Sequence, residues 1–252
     1  MATYCGSWNK VKALKKYKWL LVFSLVVVSV GLLMPKIEYG IEWRNSMELQ
    51  LGDDLFEKEI SGYVEVSSRV VTDQAYFILN NTPQGIEVGS DAWKIWGIYY
   101  WVVRHIRYVD DPPGNHFKLA SEVLNTGSGD CDDYAVLLAS LYEASGLDAA
   151  LALVNTNTDA EADHLTCLVY WPGDVQLFID EEERILDRYQ MTSPVVTVKI
   201  KHILNNTSEL MLGKYREGVL LVADPVMSQV NNLMGYVTNK TYEILKIFDV
   251  GR

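Results

Sequence analysis

The spacing of apolar residues changes at Gly146, and that change confines the chain to folds that join a helical layer to a sheet. Upstream, residues 91–108 place Trp93, Trp96, Tyr99, Val102, Val103 and Ile106 at mostly helical spacing. Ser90 or Asp91 can cap this helix, and the run Asp110-Asp111-Pro112-Pro113-Gly114 ends it. A short helix over about 117–125 follows. A third helix begins at Cys131 and carries Tyr134, Leu137, Leu138, Leu141 and Tyr142 on one face, stopping at Gly146. Downstream, residues 148–154 and 164–171 read as adjacent strands joined by a polar loop, with 175–179, 195–203 and 219–223 as further strands. The acidic run 180–188 reads as a solvated turn or helix start, and 228–248 as a closing helix. The order gives an α+β domain in which the Cys131 helix packs on an antiparallel sheet.

Domain organisation follows from where the charge and the apolar runs fall. Residues 1–36 hold six lysines and no acid, so removing their +6 from the chain's −11 leaves −17 for residues 37–252. No basic stripe suited to nucleic acid is present, and none is expected as a partner. Residues 19–34 are almost unbroken apolar sequence and, with Tyr17 and Lys18, approach the roughly 20 residues that cross a bilayer. Lysines crowd their N-terminal side, which predicts a cytoplasmic N-terminus and an exported main domain in a single-pass membrane protein. The expected division is a tail and anchor over 1–36, an extension or stalk over 37–89, the main domain over 90–228, and a C-terminal helix over 229–252.

Cys131 stands where a loop becomes a helix, in Gly127-Ser128-Gly129-Asp130-Cys131-Asp132-Asp133-Tyr134. The N–H groups and positive dipole end of a helix start favour thiolate over thiol. A thiolate nucleophile needs a base, and the base needs a group that fixes its tautomer. Among four histidines, His164 opens a strand just after a polar loop, one helix and one hairpin connection beyond Cys131, placed to return across the helix start. His105, His116 and His202 read as packing, capping and strand-face residues. Cys167 lies in an apolar run and reads as a buried free thiol.

Three segments together resemble the transglutaminase-like superfamily: Gly129-Asp130-Cys131-Asp132-Asp133-Tyr134-Ala135, Gly146-Leu147-Asp148-Ala149-Ala150-Leu151, and Asp163-His164-Leu165. The tract Ile106-Arg107-Tyr108-Val109-Asp110 adds to the match. The resemblance implies a papain-like Cys-His-Asp fold with Cys131 as nucleophile and His164 as general base. Asp224, in Ala223-Asp224-Pro225, is similar to the family's strand ending in Asp-Pro, but its distance along the chain from His164 requires an insertion over 181–217. Asp180, in Phe178-Ile179-Asp180 and much nearer His164 in sequence, is the alternative, and Asp224 is preferred.

The resemblance implies acyl transfer or hydrolysis at a protein or peptide amide, cell-wall peptides included, by a membrane-anchored prokaryotic, archaeal member. A catalytically silent module for surface binding or organisation is the alternative. No cofactor is expected. Calcium held by Asp110, Asp111, Asp130, Asp132 and Asp133 is the one metal considered, and the spacing lacks the glycine and distant glutamate of a loop-type calcium motif. Three aspartates also surround the sulfur in sequence, and their charge opposes a thiolate unless it is spent on capping.

Overall fold

The chain divides into two units, residues 1–39 and 40–252. The computed structural model describes residues 53–110, 117–157, 161–191, 202–204, 218–227, 234 and 242–250, all within the second. The apolar segment 19–34 and the alternating stretch 37–51 lie outside the described residues. Among those described, no helix is long and apolar enough to cross a membrane.

Three helices open the described chain: α1 (Asp53–Ser61), α2 (Arg69–Asn80) and α3 (Asp91–His105). The first two fall where a stalk was expected, yet Phe56, Ile60, Val71, Ala75 and Ile78 are buried. Residues 53–80 are therefore part of the core. In α2 the burying positions Val71, Ala75 and Ile78 repeat at helical spacing, but exposed Val70, Tyr76 and Phe77 mask the pattern. Ser90 caps α3 through its hydroxyl, which accepts the Trp93 N–H at 3.2 Å, as the sequence predicts. The helix stops at His105 because Ile106 turns to extended backbone and leads into β1 (Arg107–Tyr108).

Next come α4 (Ala120–Thr126), β2 (Ser128–Gly129) and α5 (Cys131–Ala144). Gly127 ends α4 in the left-handed region at φ 63°. That turn lays β2 parallel to β1, with Tyr108 opposite Gly129. α5 is buried on every side from Asp132 to Glu143, not along one face alone. Its second face carries Ala135, Val136, Ala139 and Ser140, whose small or short side chains let α2, α3 and α4 approach. Buried Leu137, Leu138 and Leu141 each contribute about 1.5–3 kcal/mol of burial energy. Gly146 at φ 83° closes the helix: its N–H donates to Glu143 and that of Leu147 to Tyr142, the paired bonds of a Schellman turn.

The chain then changes to β3 (Ala149–Asn155) and β4 (His164–Trp171), followed by α6 (Val175–Arg188), β5 (His202–Leu204), β6 (Val219–Ala223) and β7 (Glu243–Asp249). All pairings in the five-stranded sheet are antiparallel, in the order β5-β6-β4-β3-β7. This is the expected α+β arrangement, with α5 against β4 and β3. Two expectations are corrected. Residues 175–188 form one helix, so the strand expected over 175–179 is helical and the acidic run, read as a solvated turn or helix start, continues that helix: Phe178, Glu182, Ile185 and Leu186 face inward while Asp180, Glu183 and Asp187 face out. Asp174 caps it, accepting the Gln176 N–H at 2.7 Å. The expected C-terminal helix is a strand over Glu243–Asp249, which pairs with β3 and buries Phe248 against Phe56. Backbone pairing with β3 decides the conformation of this segment.

Both faces of the sheet are buried. Leu151, Leu165, Cys167 and Leu221 join the core shared with the helices, and Ala152, Val154, Leu168 and Val222 pack with Tyr242 on the other side.

Candidate active site

The helix start that carries Cys131 is built by two reciprocal aspartates. Asp130 is the N-cap, and its Oδ1 accepts the backbone N–H groups of Asp132 and Asp133 at 3.1 and 3.4 Å. Asp133 reciprocates, its Oδ2 accepting the Asp130 N–H at 3.2 Å. Asp133 is fully buried and is also held by Lys118, whose backbone N–H donates to Oδ1 at 3.0 Å and whose ammonium pairs with Oδ2. Burial raises its carboxyl above the ordinary value, and the Lys118 and Asp130 donors oppose that rise. Gly129 sits against this carboxylate: a Cβ there would lie 2.4 Å from the Asp133 Cβ. The glycine is required for space, not for an unusual backbone angle.

Cys131, the first residue of α5, is partly exposed and carries a free thiol. Its S–H donates to Oδ1 of Asp132 at 3.4 Å, and its sulfur also hydrogen-bonds the ring of His164. His164 opens β4, paired with Val154 of β3, and is 2% exposed. Its Nε2 lies 2.7 Å from Oδ2 of Asp224. An ionised carboxylate only accepts, so Nε2 carries the proton and Nδ1 is the nitrogen left for the sulfur.

Asp224 follows the last residue of β6, where Ala223 pairs with Cys167. The turn opened by Pro225 brings the N–H groups of Val226 and Met227 back to Oδ1 at 3.1 and 3.0 Å. This local ring of bonds is the physical content of the Asp-Pro signal. Oδ2 also accepts the Tyr242 hydroxyl at 2.8 Å. Burial favours the neutral acid, but His164, the Met227 N–H and Tyr242 hold the carboxyl below its ordinary value. Burial likewise opposes charge on His164, yet Asp224 and Cys131 more than offset it and hold the ring at about 10.

The structure thus brings Cys131, His164 and Asp224 together. Asp180 is elsewhere: it lies on the exposed side of α6, where it accepts from Gln176 Nε2 at 2.8 Å. Cys167 is buried, its thiol pushed well up by burial, and it is not bonded to Cys131. His105 stacks on Trp101 and bonds its carbonyl at 2.8 Å. His202 pairs with Leu221 in the sheet, and His116 lies outside the described residues. Tyr242 and Lys118 carry no sequence signal for the site. Tyr242 falls within the expected closing helix, and Lys118 reaches the site only through Asp133.

The donor set does not suit calcium. Among the described residues the one group with metal-binding geometry is Asp130, Cys131 and Asp132, whose ligand atoms lie within 4.8 Å of one another. Its centre is a soft sulfur, whereas calcium takes six to eight oxygens. Asp133 is committed to Lys118, Asp110 is hydrogen-bonded to Tyr108, and Asp111 lies outside the described residues.

Comparison with known families agrees with the resemblance read from the sequence. The UPF0252 protein of Pyrococcus horikoshii is 34% identical over 172 residues, 67% of this chain and 54% of that protein. The chain spans about half the length of this curated relative. A candidate cysteine protease of Cytophaga hutchinsonii shares 20% identity over 42% of this chain and 35% of its own, with a TM-score of 0.34. A candidate protease of Parabacteroides distasonis shares 16% over 45% and 24%, also at 0.34. Residues 83–181 match the family model of the transglutaminase-like superfamily, a window that includes Cys131 and His164 and ends before Asp224. Over that window the chain is similar to the transglutaminase-like superfamily.

Proposed function

We propose that this protein is a Cys-His-Asp enzyme that breaks amide bonds through a thioester on Cys131. The observation that carries the reading is the continuous hydrogen-bonded line from the Cys131 sulfur through His164 to Asp224. A nucleophile, its base and an orienting acid share such a line in Cys-His-Asp catalysis.

The electrostatics support it. Asp132 lies beside the sulfur, and its negative charge opposes a thiolate. The His164 ring, charged at neutral pH, offsets that carboxylate, and the helix start adds about half a positive charge. The balance therefore falls on the side of a thiolate–imidazolium pair. The interaction by which the sulfur raises the ring works in both directions, so a charged ring favours the thiolate.

In the reaction the thiolate attacks the amide carbonyl and a C–S bond forms. In this reading the oxyanion donor is the backbone N–H of Cys131, at the first position of the helix. His164 gives its proton to the departing amine or ammonia as the C–N bond breaks. Water or a second amine, deprotonated by His164, then attacks the thioester, the C–S bond breaks, and the thiolate and the charged imidazole are restored. The substrate class is a protein or peptide amide, with cell-wall peptides among them. The lysine-flanked apolar segment 19–34 supports an anchored protein whose domain faces away from the cytoplasm.

The full chain is to be assayed for ammonia release and amine incorporation on a glutamine peptide, and for cleavage of a peptide library. Cys131→Ala removes all turnover and Asp224→Asn lowers it by roughly 10²–10⁴, the order expected when the imidazole loses its orienting acid. Asp180→Asn leaves it unchanged. Equal activity in Cys131→Ala and the parent protein contradicts the reading, and no turnover on either amide class supports the silent module instead.

A further inference from the structure

The Asp224 carboxylate receives four donors, and one of them comes from a residue with no place in a three-membered site. Oδ1 is filled by the N–H groups of its own turn. Oδ2 is shared by His164 Nε2 at 2.7 Å and the Tyr242 hydroxyl at 2.8 Å. A buried phenol needs a partner, but this one takes the oxygen that the imidazole uses.

The scaffold makes the sharing rigid. Tyr242 directly precedes β7, where Glu243 pairs with Asn155 and Ile244 with Val154. Val154 is also the partner of His164. One stretch of β3 therefore sets the position of both donors. The Tyr242 ring meets the imidazole edge-on, with centroids 6.4 Å apart at 67°, which limits how far His164 can swing. Tyr242 is 3% exposed, so water does not compete for the bond.

Resting on the function proposed above, we propose that Tyr242 is a positioning residue: its hydroxyl holds Oδ2 of Asp224 against His164 and draws off part of the carboxylate charge that the imidazole would otherwise feel. Burial and the neighbouring carboxylate keep the phenol well above its ordinary titration range, so it stays a donor throughout the working pH range. The titratable groups facing His164 are Cys131 from α5, Asp224 from the end of β6 and Tyr242 itself; Asp132 lies beside the Cys131 sulfur, and Cys167 on the histidine's own strand couples to Asp224 and Tyr242.

The test is the titration of the His164 Cε1 resonance between pH 7 and 11, assigned with His164→Gln, in the full chain. Tyr242→Phe keeps the ring and removes the hydroxyl, so the midpoint rises by about half a pH unit or more as Asp224 presents its full charge to the imidazole. Difluorotyrosine at position 242, a stronger donor, moves the midpoint down and tests the same bond without deleting it. In an Asp224→Asn background Tyr242→Phe has no further effect, because the coupling runs through the carboxylate. A midpoint that stays or falls in Tyr242→Phe, or the same displacement with Asn at 224, overturns the inference. The two proposals fail separately: a parent Cys131 that iodoacetamide labels no faster than glutathione removes the enzyme reading, whereas a fast Cys131 with an unmoved His164 removes only the role of Tyr242.

Discussion

Three aspartates next to one sulfur have three different surroundings, and the difference decides whether the charge cluster helps or harms the site. Asp130 turns its oxygen to the helix N–H groups, Asp133 is bonded to Lys118 and the Asp130 backbone, and Asp132 accepts from the thiol. Sequence spacing shows the cluster but not these directions, since Lys118 reaches Asp133 through the fold. Asp224 is legible in its Asp-Pro turn, whose bonds are local to the dipeptide and its neighbours. Tyr242 is not, because a partner so far along the chain from Asp224 leaves no periodic signal. The His164–Asp224 pair also sets a pH dependence of stability. The ring stands at about 10 in the fold against about 6.5 unfolded, so its contribution is complete below about pH 6.5 and is lost as pH rises through 10. Urea unfolding from pH 6.5 to 10 is expected to show falling stability that His164→Gln flattens. An identical slope in both proteins contradicts the assignment.

Among the elements, α5 is the most readable, and its two ends show why. Gly146 and the Asp130 cap are local chemistry, fixed by residues within one turn of the helix. Gly129 looks like a turn residue, yet its constraint is the Asp133 side chain packed against it. Gly129→Ala is therefore expected to cost about 1–3 kcal/mol in chemical denaturation through overpacking and a disturbed cap. A loss no larger than that of an ordinary surface substitution, about 0.5 kcal/mol, shows that the helix start yields instead. Less local elements mislead. In α6 the four acids from Asp180 to Glu183 suggest solvent, but Glu182 points inward and accepts the Met234 N–H at 2.8 Å, its carboxyl lifted by burial to about 8. In β7 pairing with β3 outweighs local spacing, which no reading of the segment alone can weigh.

At the scale of the domain, the site depends on three distant parts of the chain meeting at one edge: a helix start, the first residue of β4 and the end of β6. The switch at Gly146 from helical spacing to short apolar runs bounded by polar segments predicts this layering, because a sheet built after a nucleophile helix must return across it to bury its apolar face. The helices over residues 53–80 and the strand at the C-terminal side enlarge that same core beyond the boundaries expected from composition. The proposed function requires that this meeting activate Cys131. It is tested most directly by the pH dependence of iodoacetamide labelling at Cys131, resolved from Cys5 and Cys167 by peptide mass spectrometry. Rapid labelling is expected already at pH 6–7, below the range of about 8.5 for an ordinary thiol, with a loss of at least about tenfold in His164→Ala. Labelling that follows an ordinary exposed thiol and is unchanged by His164→Ala contradicts it.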